Sequence, residues 1–196
     1  MRVRRLARMQ RSLSKMPQVT SMRRLHIVGG KNHGKTTLVA DLVSELTRRG
    51  WRIGTIKHTH HHHELDMPGK DSHRHRESGA AVVGILTRSL NAIYWPPRQS
   101  QIGDARYDAF ASAFADCHLV IVEGDTNTEA PKLEVWRSSQ DDPPLADRLK
   151  HVLAIVTDDE PDGPWEVLRR GDIGKIADYV VERFLVGHSH DQIQSF

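Results

Sequence analysis

The segment Gly29-Gly30-Lys31-Asn32-His33-Gly34-Lys35-Thr36 has the spacing G-x-x-x-x-G-K-[ST]. That pattern lets backbone N–H groups converge on an anion at the start of a helix, where the helix adds a partial positive charge. Lys35 then supplies a point charge for the β and γ phosphates, the Thr36 hydroxyl one position on Mg²⁺, and Thr37 a contact for the α phosphate. The expected ligand is a nucleoside triphosphate held by Gly29, Gly30, Lys31, Asn32, His33, Gly34, Lys35, Thr36 and Thr37.

A triphosphate site needs an acid to hold the metal, and Glu123 closes the apolar run Leu119-Val120-Ile121-Val122, the end of a strand where such an acid is placed. Lys35 and Glu123 are therefore the expected catalytic groups, with Thr36 and Glu123 as metal ligands. Asp66 and Asp71 are weaker candidates for Mg²⁺ or for orienting water. Asp158, after the apolar run Val152 to Val156, is placed either to read a guanine ring or to serve as an ordinary turn carboxylate. No N-K-x-D accompanies it.

Between Lys57 and Asp66 lie five histidines, at 58 and 60–63, and two carboxylates, Glu64 and Asp66. Their types suit a metal, but consecutive residues rarely point at one ion, so a polar loop facing the nucleotide is an equal reading. Cys117, the single cysteine, has no assignable base and reads as a small buried residue. A lone cysteine excludes an internal disulfide and a cysteine zinc site, which suits a reducing compartment.

The elements that must position these groups follow from periodicity. Arg24 to Val28 reads as a strand stopped by glycines. Val39, Leu42, Val43 and Leu46 repeat at helical spacing, and the helix closes on Arg48-Arg49-Gly50, cations and a glycine at the carbonyl end. Trp51 to Lys57 is a second strand, His58 to Lys70 a loop, and Asp71 to Ser78 a short helix. Ala80 to Thr87 and Asn91 to Trp95 form a hairpin, and Tyr107, Phe110, Ala111 and Phe114 predict a helix from Asp104 to Ala115. Strands at His118 to Val122, Lys132 to Arg137 and His151 to Val156 precede a C-terminal helix capped by Asp172. Alternating strands and helices give an α/β class: a three-layer P-loop NTPase fold with a mostly parallel sheet and a β-hairpin extension.

In order and spacing, several further segments resemble those of the molybdopterin-guanine dinucleotide biosynthesis protein B (MobB) family. They are Lys57-His58-Thr59-His60-His61, Pro68-Gly69-Lys70-Asp71-Ser72, Glu77-Ser78-Gly79-Ala80, Val122-Glu123-Gly124, Pro131-Lys132 and the Asp172 to Glu182 helix, with the phosphate loop. The similarity spans about residues 23–186. It implies a GTP-binding, weakly GTP-hydrolysing accessory protein of molybdenum cofactor biosynthesis, assisting the MobA-like guanylyltransferase, with GTP and Mg²⁺ as ligands. It also implies contacts with molybdopterin and molybdoenzymes, and a homodimer whose surface includes the hairpin from Ala80 to Trp95. By the same resemblance the loop around His60, His61, Asp66 and Asp71 covers the nucleotide or faces the partner. Two departures stand out: His62, His63 and Glu64 replace the family's interleaved acids, and Asp125-Thr126 replaces Phe-Lys. Hydrolysis would be slow, because no arginine finger or catalytic glutamine is identifiable. The alternatives are a nucleotide-switched metallochaperone scaffold using the histidine loop and a small-molecule kinase.

Composition narrows the classes further. The chain has 196 residues, 38% hydrophobic and 27% charged, with net charge +3, enough for one domain with a sizeable core. Arg2, Arg4, Arg5, Arg8, Arg11 and Lys15 stand ahead of residue 22 with no acid among them. The remainder is mildly acidic, which argues against a general nucleic-acid binder. Residues 1–22 are expected to be a flexible basic extension, with Met22 a plausible start, residues 23–187 the nucleotide-binding domain, and 188–196 a flexible tail. No apolar run reaches the roughly 20 residues of a membrane span, and no signal-peptide core is visible. A cytoplasmic protein without membrane contact is expected.

Overall fold

The computed structural model describes residues 22–59, 64–97, 103–140 and 142–186. The expected basic extension, the C-terminal tail and His60 to His63 lie outside the described residues, apart from Met22.

Six parallel strands form the main sheet. They are β1 (Arg24–Val28), β2 (Ile53–Lys57), β5 (Leu119–Glu123), β6 (Lys132–Val135), β7 (Val152–Val156) and β8 (Val167–Leu168), in the order β2-β5-β1-β6-β7-β8. Helices α1 (Lys35–Arg48) and α3 (Ile173–Phe184) cover one face. Strand residues alternate between the two faces: Leu25, Ile27, Leu119, Ile121, Leu133, Val135, Ala154 and Val156 turn toward the helices. There they meet Leu38, Leu42 and Leu46 of α1 and Ile176, Ala177 and Val180 of α3. Arg49 ties the helices together, donating to Asp178 at 2.6 Å and to the Gly174 carbonyl at 3.0 Å. The Asp172 carboxylate caps α3 as expected, accepting from the Lys175 N–H at 3.1 Å.

The opposite face differs from expectation. In place of an α-helix from Asp104 to Ala115, a 3₁₀ helix runs from Gly103 to Phe110 and passes into turns. A 3₁₀ helix aligns residues three apart, and this one aligns three anchors. Asp104 accepts a hydrogen bond from Thr128 and pairs with Arg24 at 3.2 Å. Tyr107 donates to Asp125 at 2.5 Å. The Phe110 ring lies 5.3 Å from Trp95. Those tertiary partners, which apolar periodicity cannot reveal, favour the tighter winding.

β6 departs in another way, since both polar residues of its alternating pattern are buried. The Lys132 ammonium donates to the carbonyls of Thr128, Ala130 and Lys150 at 2.6, 3.0 and 3.2 Å. The Glu134 carboxylate accepts from the N–H groups of Leu145 and Ala146 at 2.6 and 2.8 Å. Each buried charge thus has hydrogen-bond partners in place of water. β8, two residues long, is too short to give a periodic signal.

The predicted hairpin is present as β3 (Val83–Leu86) and β4 (Asn91–Tyr94), antiparallel and forming a sheet of its own. The short helix α2 (Asp71–Glu77) precedes it.

His26 sits on β1 fully buried, its ring edge-on to Tyr107 at 5.5 Å and its Nδ1 3.3 Å from the Gly124 carbonyl. Burial lowers its pKa from 6.5 to about 4, so it is neutral in the fold. A depressed histidine contributes fully above pH 6.5, and that contribution is lost as pH falls from 6.5 toward 4. Denaturant unfolding of the wild type should therefore lose about 2 kcal/mol more between pH 7 and pH 5 than unfolding of His26→Phe. Parallel pH slopes for the two proteins would contradict this assignment.

Candidate functional site

The phosphate-loop residues join the carboxyl end of β1 to the amino end of α1. Gly29 has φ +145° and a Cβ there would lie 2.3 Å from the Val135 carbonyl oxygen, while Gly34 has φ +98° at the N-cap of α1. Both positions are closed to ordinary side chains, the first by contact and both by backbone conformation. No side chain caps α1, so its first-turn N–H groups are left to an external acceptor. Lys31, Asn32, Thr36 and Thr37 are exposed around this turn.

The Lys35 ammonium is drawn over the loop, donating to the carbonyls of Gly29 at 3.0 Å and Gly30 at 2.6 Å. Burial lowers its pKa, against the opposing pull of Glu123. His33 packs inward: its imidazole is buried, Nδ1 accepts from the Arg137 N–H at 3.2 Å, and Nε2 has no partner. His33 therefore offers the loop its backbone, and burial keeps its ring less basic than usual. A free imidazole on the ligand face is not what the fold provides.

The parallel register sets Glu123 of β5 beside Ile27 of β1 and Lys57 of β2. From there its Oε1 accepts a hydrogen bond from the Thr36 hydroxyl at 2.7 Å and lies 3.6 Å from the Lys57 ammonium. A hydroxyl and a carboxylate in contact at the start of α1 are oxygen donors of the kind Mg²⁺ takes, with further positions left to water and phosphate. The residues present fit that ion. Asp66, Asp71 and Glu123 do not come together as one cluster, since no group of three or more His, Cys, Asp or Glu among the described residues is arranged to hold a metal. Asp66 Oδ1 accepts from the Ser72 hydroxyl and the Met67 N–H, each at 2.9 Å, while its buried Oδ2 has no partner among the described residues, and Asp71 stands exposed in the first turn of α2.

Asp158 follows β7 and lines a cavity of about 240 Å³ with Trp136, Arg137, Ser139, Asp159 and Arg170. Its Oδ1 accepts from the Gly171 N–H at 3.0 Å, and Asp159 accepts from the Ser138 N–H at 2.8 Å. The cavity is adjacent to the phosphate loop, because the Arg137 guanidinium would lie 3.2 Å from a Cβ on Gly34.

Lys57, Arg137 and Asp159 are site residues that the sequence reading missed. The position of Lys57 in the K-H-T-H-H segment is the one signal that could have found it; Arg137 and Asp159 reach the site only because β6 and β7 lie side by side. The Asp125 departure is also accounted for. Its buried carboxylate accepts from the Tyr107 hydroxyl at 2.5 Å and from Arg106. Burial alone would raise its pKa, but those two bonds outweigh it and hold the carboxyl below the usual range.

The family model for molybdopterin guanine dinucleotide synthesis protein B matches residues 24–158. The molybdopterin-guanine dinucleotide biosynthesis adapter protein of Escherichia coli is 34% identical over 152 residues, covering 76% of this chain and 86% of that one. Its counterpart in Haemophilus influenzae is 33% identical over 156 residues, covering 80% and 86%. The crystal structure of a molybdopterin-guanine biosynthesis protein B superposes with TM-score 0.62 at 26% identity, covering 81% of this chain and 97% of that one. A MobB homologue from Bacillus stearothermophilus gives 0.59 at 25%, covering 82% and 97%. With the phosphate loop, the strand-end acid and the parallel sheet in place, this chain belongs to the MobB family of molybdopterin-guanine dinucleotide synthesis proteins.

Proposed function

We propose that this protein is a GTP-binding, weakly GTP-hydrolysing adapter in molybdopterin guanine dinucleotide biosynthesis, acting in the cytoplasm beside a MobA-like guanylyltransferase. The observation that carries the reading is the 2.7 Å hydrogen bond between Thr36 and Glu123 at the start of α1. It brings a hydroxyl and a carboxylate together beside the uncapped turn and the Lys35 ammonium. Mg²⁺, when bound, neutralises charge on the β and γ phosphates. Thr36 and Glu123 would hold it, the amides of residues 29–36 would cradle the phosphates, and Lys35 would turn from the Gly29 and Gly30 carbonyls to the anion. Asp158, in the cleft beside Arg137, would accept hydrogen bonds from the guanine ring.

Hydrolysis would be slow because the sequence offers no identifiable arginine finger or catalytic glutamine, and a partner would supply what is missing. Molybdopterin and molybdoenzymes are the further partners of this reading. Its homodimer would use the hairpin, where Val82, Leu86, Leu90 and Ile93 are exposed on and beside a two-stranded sheet that is marginal on its own.

In a titration with a fluorescent GTP analogue and Mg²⁺, Lys35→Ala should weaken binding by roughly 100-fold while leaving the circular dichroism spectrum unchanged. Unaltered affinity would refute the site. Glu123→Gln removes the negative charge offered to the cation, so the Mg²⁺ concentration that half-saturates binding should rise about ten-fold. An identical Mg²⁺ dependence would take Glu123 out of the metal site. Unlabelled GTP should displace the analogue better than ATP, and Asp158→Ala should erase that preference. Equal competition by the two nucleotides in the wild type would remove the guanine assignment.

A further inference from the structure

At the end of β2, where Lys57 pairs with Glu123, lies a cavity of about 820 Å³ between the hairpin and the 3₁₀ helix. Its size suits a small organic ligand. Two features of the lining define the ligand's chemistry. Tyr94 and Trp95 from the hairpin side and Phe110 from the 3₁₀ helix supply aromatic surface, with Trp95 and Phe110 in contact at 5.3 Å. Lys57, Arg76 and Arg106 supply cations, and no carboxylate among the described residues lines the cavity.

The acids that pair with these cations stand behind the wall. Asp125 holds Arg106, Glu64 accepts from Arg76 at 2.6 Å, and Glu123 lies 3.6 Å from Lys57. A guanidinium has five N–H donors, so one carboxylate orients it without exhausting it. Arg106 is fixed most firmly, since Asp125 is almost fully buried and also accepts from Tyr107. The lining as a whole is preorganised for a flat ring carrying an anion.

We propose that this cavity binds a phosphorylated pterin, its ring against Trp95 and Phe110 and its phosphate on Arg106 and Arg76. The choice of a pterin rests on the function proposed above, in which the cofactor under assembly is a pterin phosphate. The aromatic and cationic lining stands independently of it. Lys57 connects the two sites, since it lines this cavity and pairs with Glu123, which in turn bonds Thr36. The pterin phosphate and the nucleoside triphosphate would thus lie on either side of one Lys57–Glu123 pair. Of the exposed apolar residues assigned to the dimer surface, Val82, Leu86 and Leu90 lie outside this lining, while Ile93 belongs to both.

The test uses the full chain and neopterin monophosphate, followed by the quenching of pterin fluorescence, with neopterin, inorganic phosphate and GMP as comparison ligands. Neopterin monophosphate should bind saturably, and neopterin and inorganic phosphate each at least about ten-fold more weakly. Arg106→Gln should cost roughly ten-fold or more, and Trp95→Ala about ten-fold. Trp95→Ala decides the matter if Arg106→Gln fails to fold with Asp125 unpaired. Lys35→Ala should leave the pterin affinity unchanged, and excess GMP should not displace the pterin.

Absence of saturable binding, or affinity indifferent to both Arg106→Gln and Trp95→Ala, would overturn the proposal. So would displacement by GMP or loss in Lys35→Ala, either of which would put the pterin in the nucleotide site. Sedimentation of Trp95→Ala adds another check: conversion of a dimer to a monomer would assign the cavity to a second copy of the chain and overturn pterin binding there. The GTP-analogue titration is read separately, so failure of the nucleotide reading and failure of this one give different results.

Discussion

The site depends on one constraint, the parallel register of β1 between β5 and β6. Strands hydrogen-bonded in parallel end at the same edge of the sheet, and ligands of open α/β sheets bind outside that edge. Ile27 opposite Glu123, and Lys57 opposite the same glutamate, bring the phosphate loop, an acid and a cation from three distant stretches of chain into a few ångströms. A one-residue slip of β5 would turn Glu123 to the other face and drive Val120 and Val122 into the helix-covered core. The apolar residues on both faces therefore enforce the placement of the strand-end acid, Glu123.

The two faces of the sheet are stabilised differently. Under α1 and α3 the core is aliphatic, and burial of apolar area holds it together. The opposite face carries His26, Asp125, Lys132 and Glu134 in buried positions. Leaving any of their partners unmade would cost roughly 1–3 kcal/mol per neutral group and more for the charges, so this face tolerates few arrangements. That specificity is useful at the Asp125 end. There the carboxylate orients Arg106 and Tyr107, and the 3₁₀ helix presents Arg106 and Phe110 to the large cavity.

Asp125 is instructive. A buried carboxylate would be destabilising alone. Here Arg106 and Tyr107, about twenty residues earlier in the chain, supply the counter-charge and the hydroxyl. Arg106 thereby brings a cation to this region from another element.

By itself the sequence determined the phosphate loop, its strand and helix, the strand-end acid, the hairpin and the parallel class. Each of these is local: glycine spacing, apolar periodicity and caps act within a few residues of where they are read. Tertiary structure decided which of those local pieces meet. It joined Thr36 to Glu123, set Lys57 beside them and brought Arg137 to Gly34. It buried His33, and it wound Gly103 to Phe110 as a 3₁₀ helix because Asp104, Tyr107 and Phe110, three residues apart along it, meet Thr128, Asp125 and Trp95. The physical reason is that hydrogen bonds and ion pairs between residues far apart in the chain leave no periodicity behind, and only the register of neighbouring strands brings their atoms within reach.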